Sequence, residues 1–186
     1  YRIDVELGRG STAVVYSAYD TRLGRQCAVK LLLAGKATPH LRRRFQREAV
    51  LGARVGDHPG VVSCFDLGTW PETGELYLAL DLVVGVSLRD RMRAGDLPRA
   101  EGLRLVLEVA KAVAHCHQRG VIHRDLKPSN VLIDASGQAR LTDLGVAKAL
   151  GEAGELTATG QRVGTPSYMA PEQIADAKAA GKAVDV

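Results

Sequence analysis

One short polar segment holds several side chains that could move a proton and bind a divalent cation. Residues 121–130, VIHRDLKPSN, bring together a carboxylate, two cations and a side-chain amide. Asp125 could accept a proton from a hydroxyl group as a general base. Asn130, and Asp143 farther along the chain, offer oxygen ligands of the kind that Mg²⁺ prefers. A polar loop whose aspartates only cap turns is a poor alternative for the whole set, so the pattern predicts a reactive site.

A glycine-rich segment near the beginning of the chain could approach a phosphate group. In residues 7–15, LGRGSTAVV, the absence of Cβ atoms at Gly8 and Gly10 would let the backbone come close to such a group. Strand-like sequence follows, whereas a dinucleotide-binding turn opens a helix, and the chain has no GxxxxGK[ST] motif. Taken alone, the segment also fits an ordinary hairpin turn.

Lys30 lies within an apolar run, Ala28-Val29-Lys30. A lysine in such a run is usually at a strand edge or faces solvent, but a buried lysine needs an anionic partner. Glu48, on a predicted helix, could supply that carboxylate. Lys30 could then bind nucleotide phosphates.

The first part of the chain alternates strand-like runs with turns. Five strands are predicted, over residues 2–7, 14–19, 26–33, 61–67 and 76–82. Pro39 precedes a helical pattern formed by Leu41, Phe45, Glu48 and Ala49. These elements predict a small sheet with one inserted helix.

The pattern becomes helical from Val84 onward. A helix is predicted over residues 99–118, with apolar residues at helical spacing: Leu103, Val106, Leu107, Ala110, Val113 and Ala114. Two short strands follow, over 131–133 and 139–142, and a polar stretch then runs to Gly164. We place the domain boundary at Val84, where the pattern changes, with domains at 1–84 and 85–186.

Composition narrows the class of protein. The 186 residues are 46% hydrophobic and 25% charged, which excludes a disordered chain. The net charge of +4 is too small and too scattered to predict a nucleic-acid partner. No run approaches the ~20 apolar residues of a membrane span, so no membrane contact is expected within these residues. The 3 cysteines are widely separated, which predicts reduced thiols and a cytoplasmic location.

In their order, these motifs resemble the eukaryotic-type protein kinase family, and especially its bacterial serine/threonine members. The resemblance rests on residues 7–15, Lys30, 118–130, Asp143-Leu144-Gly145 and 164–173, GTPSYMAPEQ. It implies an α+β, two-lobed protein-kinase-like fold. The N-lobe would hold a five-stranded sheet with one helix, and an incomplete, mostly helical C-lobe would follow.

The resemblance also implies an ATP site. The glycine-rich turn would cover the phosphates, and the segment 81–83 would be the hinge that binds adenine through its backbone. Leu80 would be the gatekeeper. The implied ATP-binding residues are Leu7, Gly8, Gly10, Val15, Ala28, Lys30, Asp81, Val83 and Leu132.

The implied catalytic residues are Asp125, Lys127, Lys30 and Glu48. Asp125 would be the base, and Lys127 is the family's mark of serine/threonine substrates. Glu48 would hold Lys30 against the nucleotide phosphates. Asn130 and Asp143 would bind Mg²⁺, with Mn²⁺ as a substitute.

The resemblance further implies regulation by an activation loop. Arg124 resembles the arginine that binds a phosphorylated loop, and Thr157 and Thr159 are candidate acceptors. Thr165 resembles the threonine that ties the substrate-binding loop to the base. A homodimer could support phosphorylation in trans. In the simpler alternative, Thr157 and Thr159 are only solvated loop residues.

The end of the sequence departs from the family pattern. We expect the chain to stop before an aspartate that anchors the catalytic loop and an arginine that pairs with Glu172. The predicted helix 99–118 would then expose apolar surface. On this expectation the 186-residue span alone is unstable or inactive.

Three functions fit the sequence. The favoured one is a protein kinase that transfers the γ-phosphate of ATP to serine or threonine hydroxyls. In the second, a truncated kinase-like module binds nucleotide or a partner protein without transfer. In the third, the substrate is a small molecule, although kinases of that kind usually lack the equivalents of Lys127 and of Ala170-Pro171-Glu172.

Overall fold

An antiparallel sheet of five strands forms the first half of the chain. The computed structural model describes residues 1–33, 35, 37–144, 168–175 and 181–186. The strands are β1 (Arg2–Arg9), β2 (Ala13–Asp20), β3 (Arg25–Leu32), β4 (Cys64–Thr69) and β5 (Leu76–Leu80), in the order β1-β2-β3-β5-β4. Because β3 pairs with a strand on each side, its apolar residues Cys27, Ala28, Val29 and Leu32 are buried.

All five strands differ from their predicted bounds by one to three residues, and the differences in β4 and β5 lie beside the second half of the chain. β4 begins at Cys64 and not at residue 61, because Val61 and Val62 associate with Leu141 in the second half of the chain. β5 ends at Leu80, and residues 81–84 connect it to the second half of the chain without regular secondary structure. Alternation of apolar residues could not distinguish either segment from a continuing strand.

Helix α1 (Pro39–Val55) packs against the sheet through Phe45, Ala49 and Gly52, and Val55 at its end packs into the core of the second half of the chain. Thr38 caps it by accepting a hydrogen bond from the Leu41 N–H at 3.2 Å. The opposite face exposes Arg42, Arg43 and Arg47. This packing turns Glu48 toward β3.

Among its described residues, the second half contains a small sheet and three α-helices. Strands β6 (Gly85–Ser87), β7 (Val131–Asp134) and β8 (Ala139–Leu141) pair in that order. Helices α2 (Leu88–Ala94), α3 (Arg99–Gln118) and α4 (Pro171–Ala175) accompany them. Sequence periodicity missed β6 and α2, because one has only 3 residues and the other buries none of its side chains.

Helix α3 has the predicted bounds but packs through a different face. Leu105, Ala112, Val113 and Cys116 are buried in a core that includes Val131 and Leu141. Of the six apolar residues that define the predicted stripe, only Val113 is buried, and Leu103 is 63% exposed. Periodicity detected a helix with apolar residues on two sides, but not which side meets the core. No helix among the described residues is long and apolar enough to cross a membrane.

Candidate active site

The glycine-rich turn joins β1 and β2, with Gly8 opposite Val15 in the hairpin. The turn is closed by a hydrogen bond from the Gly10 N–H to the Ala13 carbonyl at 2.8 Å. A Cβ atom added at Gly8 would meet nothing within 4 Å. Gly8 therefore faces open space, and the segment is both a hairpin and one wall of a cavity.

A continuous cleft runs beneath this turn. Its inner part is lined by Gly8, Gly10, Lys30, Glu48, Asp125, Lys127, Asn130 and Asp143, among others. Its outer part is more apolar and is lined by Leu7, Val15, Ala28, Leu80, Asp81, Val83 and Leu132, among others. The two parts share Gly8, Val15, Lys30 and Asp143, so all nine residues implied for ATP binding border one space.

Lys30 joins the two halves of the chain at the base of the cleft. Its Nζ lies 2.6 Å from Glu48 Oε1 and 2.7 Å from Asp143 Oδ1. The side chains of Lys30 and Glu48 are mostly buried, and that of Asp143 is half-exposed. One ammonium group therefore holds together β3, α1 and the residues that follow β8.

These contacts shift the pKa values of Lys30, Glu48 and Asp143. Burial opposes a charged ammonium, but the carboxylates of Asp143 and Glu48 outweigh it and raise the pKa of Lys30 above its ordinary value. The charge of Lys30 lowers the pKa of Asp143. Burial raises the pKa of Glu48 despite its contact with Lys30. Lys30 and Asp143 are thus a cation and an anion at neutral pH.

Asp125 is held by two neighbours within its own loop. Lys127 Nζ lies 2.7 Å from Asp125 Oδ2. Asn130 Nδ2 donates hydrogen bonds to the Asp125 backbone carbonyl at 2.9 Å and to Oδ2 at 3.0 Å. A 3₁₀ turn over Pro128–Asn130 brings the amide back toward Asp125. The carboxylate is therefore fixed in direction at the mouth of the inner cleft.

His123 lies beneath this loop and is fully buried. Its Nε2 lies 3.1 Å from the Thr142 carbonyl, and its Nδ1 accepts a hydrogen bond from the Asp125 N–H at 3.2 Å. This pattern fits a neutral ring with its proton on Nε2. Burial accordingly lowers the pKa of His123.

The aspartate expected to lie beyond the end of the sequence is present as Asp185. Its side chain is 0% exposed. It accepts hydrogen bonds from the backbone N–H groups of His123 at 2.8 Å and Arg124 at 2.7 Å. His117 Nε2 of α3 lies 2.7 Å from the same carboxylate. The expectation that this anchor is missing was wrong, because a lone acidic residue near the chain end gave no local signal of its partners.

Gln173 of α4 is a second residue that the sequence analysis did not select. Its side chain donates a hydrogen bond to the Arg124 carbonyl at 2.8 Å. Only its place directly after Ala170-Pro171-Glu172 could have drawn attention to it. Glu172 itself is exposed.

Three predicted residues cannot be placed in this site. Thr157, Thr159 and Thr165 lie outside the described residues. Arg124, the residue expected to bind a phosphorylated loop, adopts a left-handed backbone conformation beside Asp125, with φ 63°.

Comparison with known proteins adds an independent result. The whole chain, residues 1–186, matches the family model described as the protein kinase domain. It is 38% identical over 178 residues to the probable serine/threonine-protein kinase SCO3848 of Streptomyces coelicolor, covering 93% of this chain and 26% of that protein. Identity to the serine/threonine-protein kinase PrkC of Bacillus subtilis is also 38%, over 175 residues, again covering 93% of this chain and 26% of that protein. The chain therefore spans about a quarter of the length of these relatives.

Solved structures agree with this match. The apo form of PpkA-294 superposes with a TM-score of 0.75 at 28% identity, covering 92% of this chain and 66% of that chain. The kinase domain of Mycobacterium tuberculosis PknI gives 0.66 at 32% identity, covering 81% and 61%. The predicted α+β kinase-like fold and the resemblance seen in the motifs are both confirmed. With its five-stranded sheet, its cleft and its ordered motifs, this chain belongs to the protein kinase domain family.

Proposed function

We propose that the protein transfers the γ-phosphoryl group of ATP to serine or threonine hydroxyls of protein substrates. The observation that supports this most directly is that Lys30, Asp125, Asn130 and Asp143 line one cleft. They come from three separate parts of the sequence, so the fold and not a local motif brings them to one space. Relatives named as serine/threonine-protein kinases favour the same substrate class.

The outer cleft would bind the base of the nucleotide. Val15, Ala28 and Leu132 offer apolar walls there, and residues 81–83 border the same space. The backbone N–H and C=O groups of these residues would suit the alternating donors and acceptors of adenine.

Lys30 would orient the phosphates. Its ammonium is fixed by Glu48 and Asp143 before any ligand arrives, so little entropy remains to be lost when the phosphates bind. Phosphoryl transfer depends mainly on positioning and on neutralising charge, which a fixed cation provides.

Asn130 and Asp143 fit a divalent cation. The Asp143 carboxylate is half-exposed at the cleft and its charged form is favoured, and Asn130 adds a side-chain carbonyl oxygen. Such hard oxygen ligands suit Mg²⁺ or Mn²⁺. When bound, the ion would supply positive charge to balance that of the phosphates.

Asp125 would act on the acceptor hydroxyl. In transfer, the bond from the γ-phosphorus to the ADP oxygen breaks and a bond to the serine or threonine oxygen forms. The hydroxyl proton passes to the Asp125 carboxylate, which Asn130 and Lys127 hold in direction. Lys127 would also place a positive charge near the transferred group.

We propose in addition that phosphorylation of Thr157 or Thr159 activates the protein through Arg124, and that Thr165 ties the substrate-binding loop to Asp125. A new phosphate would add about −1.5 to −2 charge, which an arginine beside the base could bind. Phosphorylation in trans within a transient homodimer would produce this state. Mass spectrometry of active protein should find phosphate between residues 147 and 163, and its absence there would contradict this regulation.

Two broader proposals concern organisation and location. Residues 1–84 and 85–186 would form the two lobes around the cleft.

The three cysteines are free and buried, which suits a reducing compartment such as the cytoplasm.

The test is phosphate transfer from radiolabelled ATP by the full-length protein to a generic protein substrate. The control is Asp125→Asn, which preserves the shape of the side chain but cannot accept the proton. Transfer that falls by on the order of 10²-fold or more in this variant, with nucleotide binding retained, supports the proposal. Nucleotide binding without transfer in the native protein would instead favour the non-catalytic module. Transfer to a small molecule but to no protein would favour the third function.

A further inference from the structure

Gln173 is a buried polar residue that directly follows two exposed residues at the beginning of α4. It is 2% exposed, whereas its neighbours Pro171 and Glu172 in α4 are exposed. A glutamine is seldom buried unless its amide is bonded, since an unsatisfied amide in the interior carries a large penalty. Its burial therefore points to a specific partner.

Both ends of the Gln173 amide are engaged. Oε1 accepts a hydrogen bond from the Ala170 N–H at 3.1 Å, and Nε2 donates one to the Arg124 carbonyl at 2.8 Å. The orientation of the amide follows from these partners, because an N–H can only donate and a carbonyl can only accept. A carboxylate at this position could satisfy only the first contact.

The bonded carbonyl belongs to the peptide unit that joins Arg124 to Asp125. Arg124 has a φ of 63°, a conformation that costs a non-glycine residue about 1–2 kcal/mol. Its N–H donates to Asp185 at 2.7 Å, and its carbonyl accepts from Gln173. The two hydrogen bonds hold the strained residue from opposite sides.

We propose that Gln173 is a positioning residue for Asp125. By donating to the Arg124 carbonyl, it fixes the peptide plane from which the Asp125 side chain extends into the cleft. The same hydrogen bond connects that peptide plane to α4. The orientation of the Asp125 side chain therefore depends on whether α4 is well ordered. This inference rests on the proposed function, in which Asp125 accepts the substrate proton.

The test compares three variants of the full-length protein with the native protein across a range of pH. Gln173→Glu keeps the acceptor for Ala170 but sets a carboxylate oxygen against the Arg124 carbonyl, so the two oxygens repel. Gln173→Met keeps a similar volume and makes neither hydrogen bond. Gln173→Asn is a milder change whose amide is too short to keep both contacts.

We expect kcat to fall by on the order of tenfold in Gln173→Glu and Gln173→Met at neutral pH, the equivalent of one hydrogen bond, with the KM for ATP nearly unchanged. As the pH is lowered, the ratio of Gln173→Glu to native kcat should rise. Burial raises the pKa of an introduced carboxyl group, and its protonated form can donate to Arg124 again. The same ratio for Gln173→Met should stay flat. A purely structural role would give no such difference in pH dependence.

The results of these experiments distinguish a failure of the positioning role of Gln173 from a failure of the proposed phosphate transfer. If the native protein transfers phosphate but neither Gln173→Glu nor Gln173→Met changes kcat at any pH, the positioning role is wrong. If the native protein transfers none, the proposed function fails, and hydrogen exchange then decides the structural claim. Faster exchange of the amides of residues 123–125 in Gln173→Met, or in Gln173→Asn if the first variant unfolds, supports the contact, and unchanged exchange overturns it.

Discussion

The Asp185 carboxylate accepts a hydrogen bond from the backbone N–H of Arg124, with 2.7 Å between oxygen and nitrogen. His123 and His117 bond to the other oxygen of the same carboxylate. A buried carboxylate is stable only when its lone pairs are satisfied by donors of this kind. Through the side chain of Asp185, the loop that carries Asp125 is thus connected to α3 and to the 3₁₀ turn Lys182–Asp185.

Replacing this anchor should destabilise the fold. Asp185→Asn puts a donor where the protein presents N–H groups, so we expect the free energy of unfolding to fall by about 3 kcal/mol. Denaturant unfolding of both proteins measures the difference. The matched control is Asp57→Asn, because Asp57 is 59% exposed in its contacts with Arg119 and His115 and should matter less in water. Equal losses in the two variants would contradict the role of Asp185.

Removing the Lys30 ammonium should abolish transfer. In Lys30→Met, the carboxylates of Glu48 and Asp143 lose their shared cation, so we expect turnover to fall by on the order of 10²–10³-fold. Initial rates of phosphate transfer give this value. Lys30→Arg retains the positive charge but not the compact ammonium group. Compared with Lys30→Met, it should restore the free energy of unfolding more fully than it restores turnover. A Lys30→Met variant with native turnover would exclude the proposed phosphate site.

Stability should fall as the pH drops below neutrality. Burial lowers the pKa of His123 beneath its ordinary 6.5, so in acid the unfolded chain binds a proton that the folded chain does not. The contribution of neutral, buried His123 to the free energy of unfolding is fully present above about pH 6.5. It is lost as the pH falls toward the pKa of His123 in the folded state. Its slope can reach about 1.4 kcal/mol per pH unit.

Unfolding free energies between about pH 7 and pH 5 test this sign. His123→Phe, which keeps a ring of similar size without a titrating group, should show a shallower slope than the native protein. Identical slopes would mean that other groups, such as His58, produce the acid sensitivity. The pKa of His58 is also lowered, first by burial and then by the charge of His115.

Gly85 should not tolerate a side chain. A Cβ atom there would overlap the Ile133 carbonyl oxygen, so Gly85→Ala must separate β6 from β7. We expect a loss of about 1–3 kcal/mol in the free energy of unfolding. Gly102→Ala in α3 is the control, because its Cβ would make an ordinary contact of 3.8 Å with Leu97 and alanine favours a helix. Thermal unfolding should move in opposite directions for the two variants.

Local chemistry made much of this protein predictable from its sequence. Alternating apolar residues and turn-forming residues predicted the five strands, and hairpin neighbours such as β1 and β2 pair through contacts close in sequence. The pairing of β3 with β5 joins residues far apart in sequence, and no local pattern predicted it. The bounds of α3 followed from apolar residues at helical spacing and from Gly120 beyond its end. The motifs around Asp125 and Asp143 identified the types of side chain that the cleft would need.

Contacts between distant parts of the chain were decided only by the tertiary structure. Periodicity could not select which apolar face of α3 meets the core, since both faces have helical spacing. Asp185 and Gln173 lie 61 and 49 residues along the chain from Arg124, the partner they share, and no local pattern encodes such pairs. A buried polar group needs a partner of the right kind at hydrogen-bonding distance, but only the folded backbone determines which group that is.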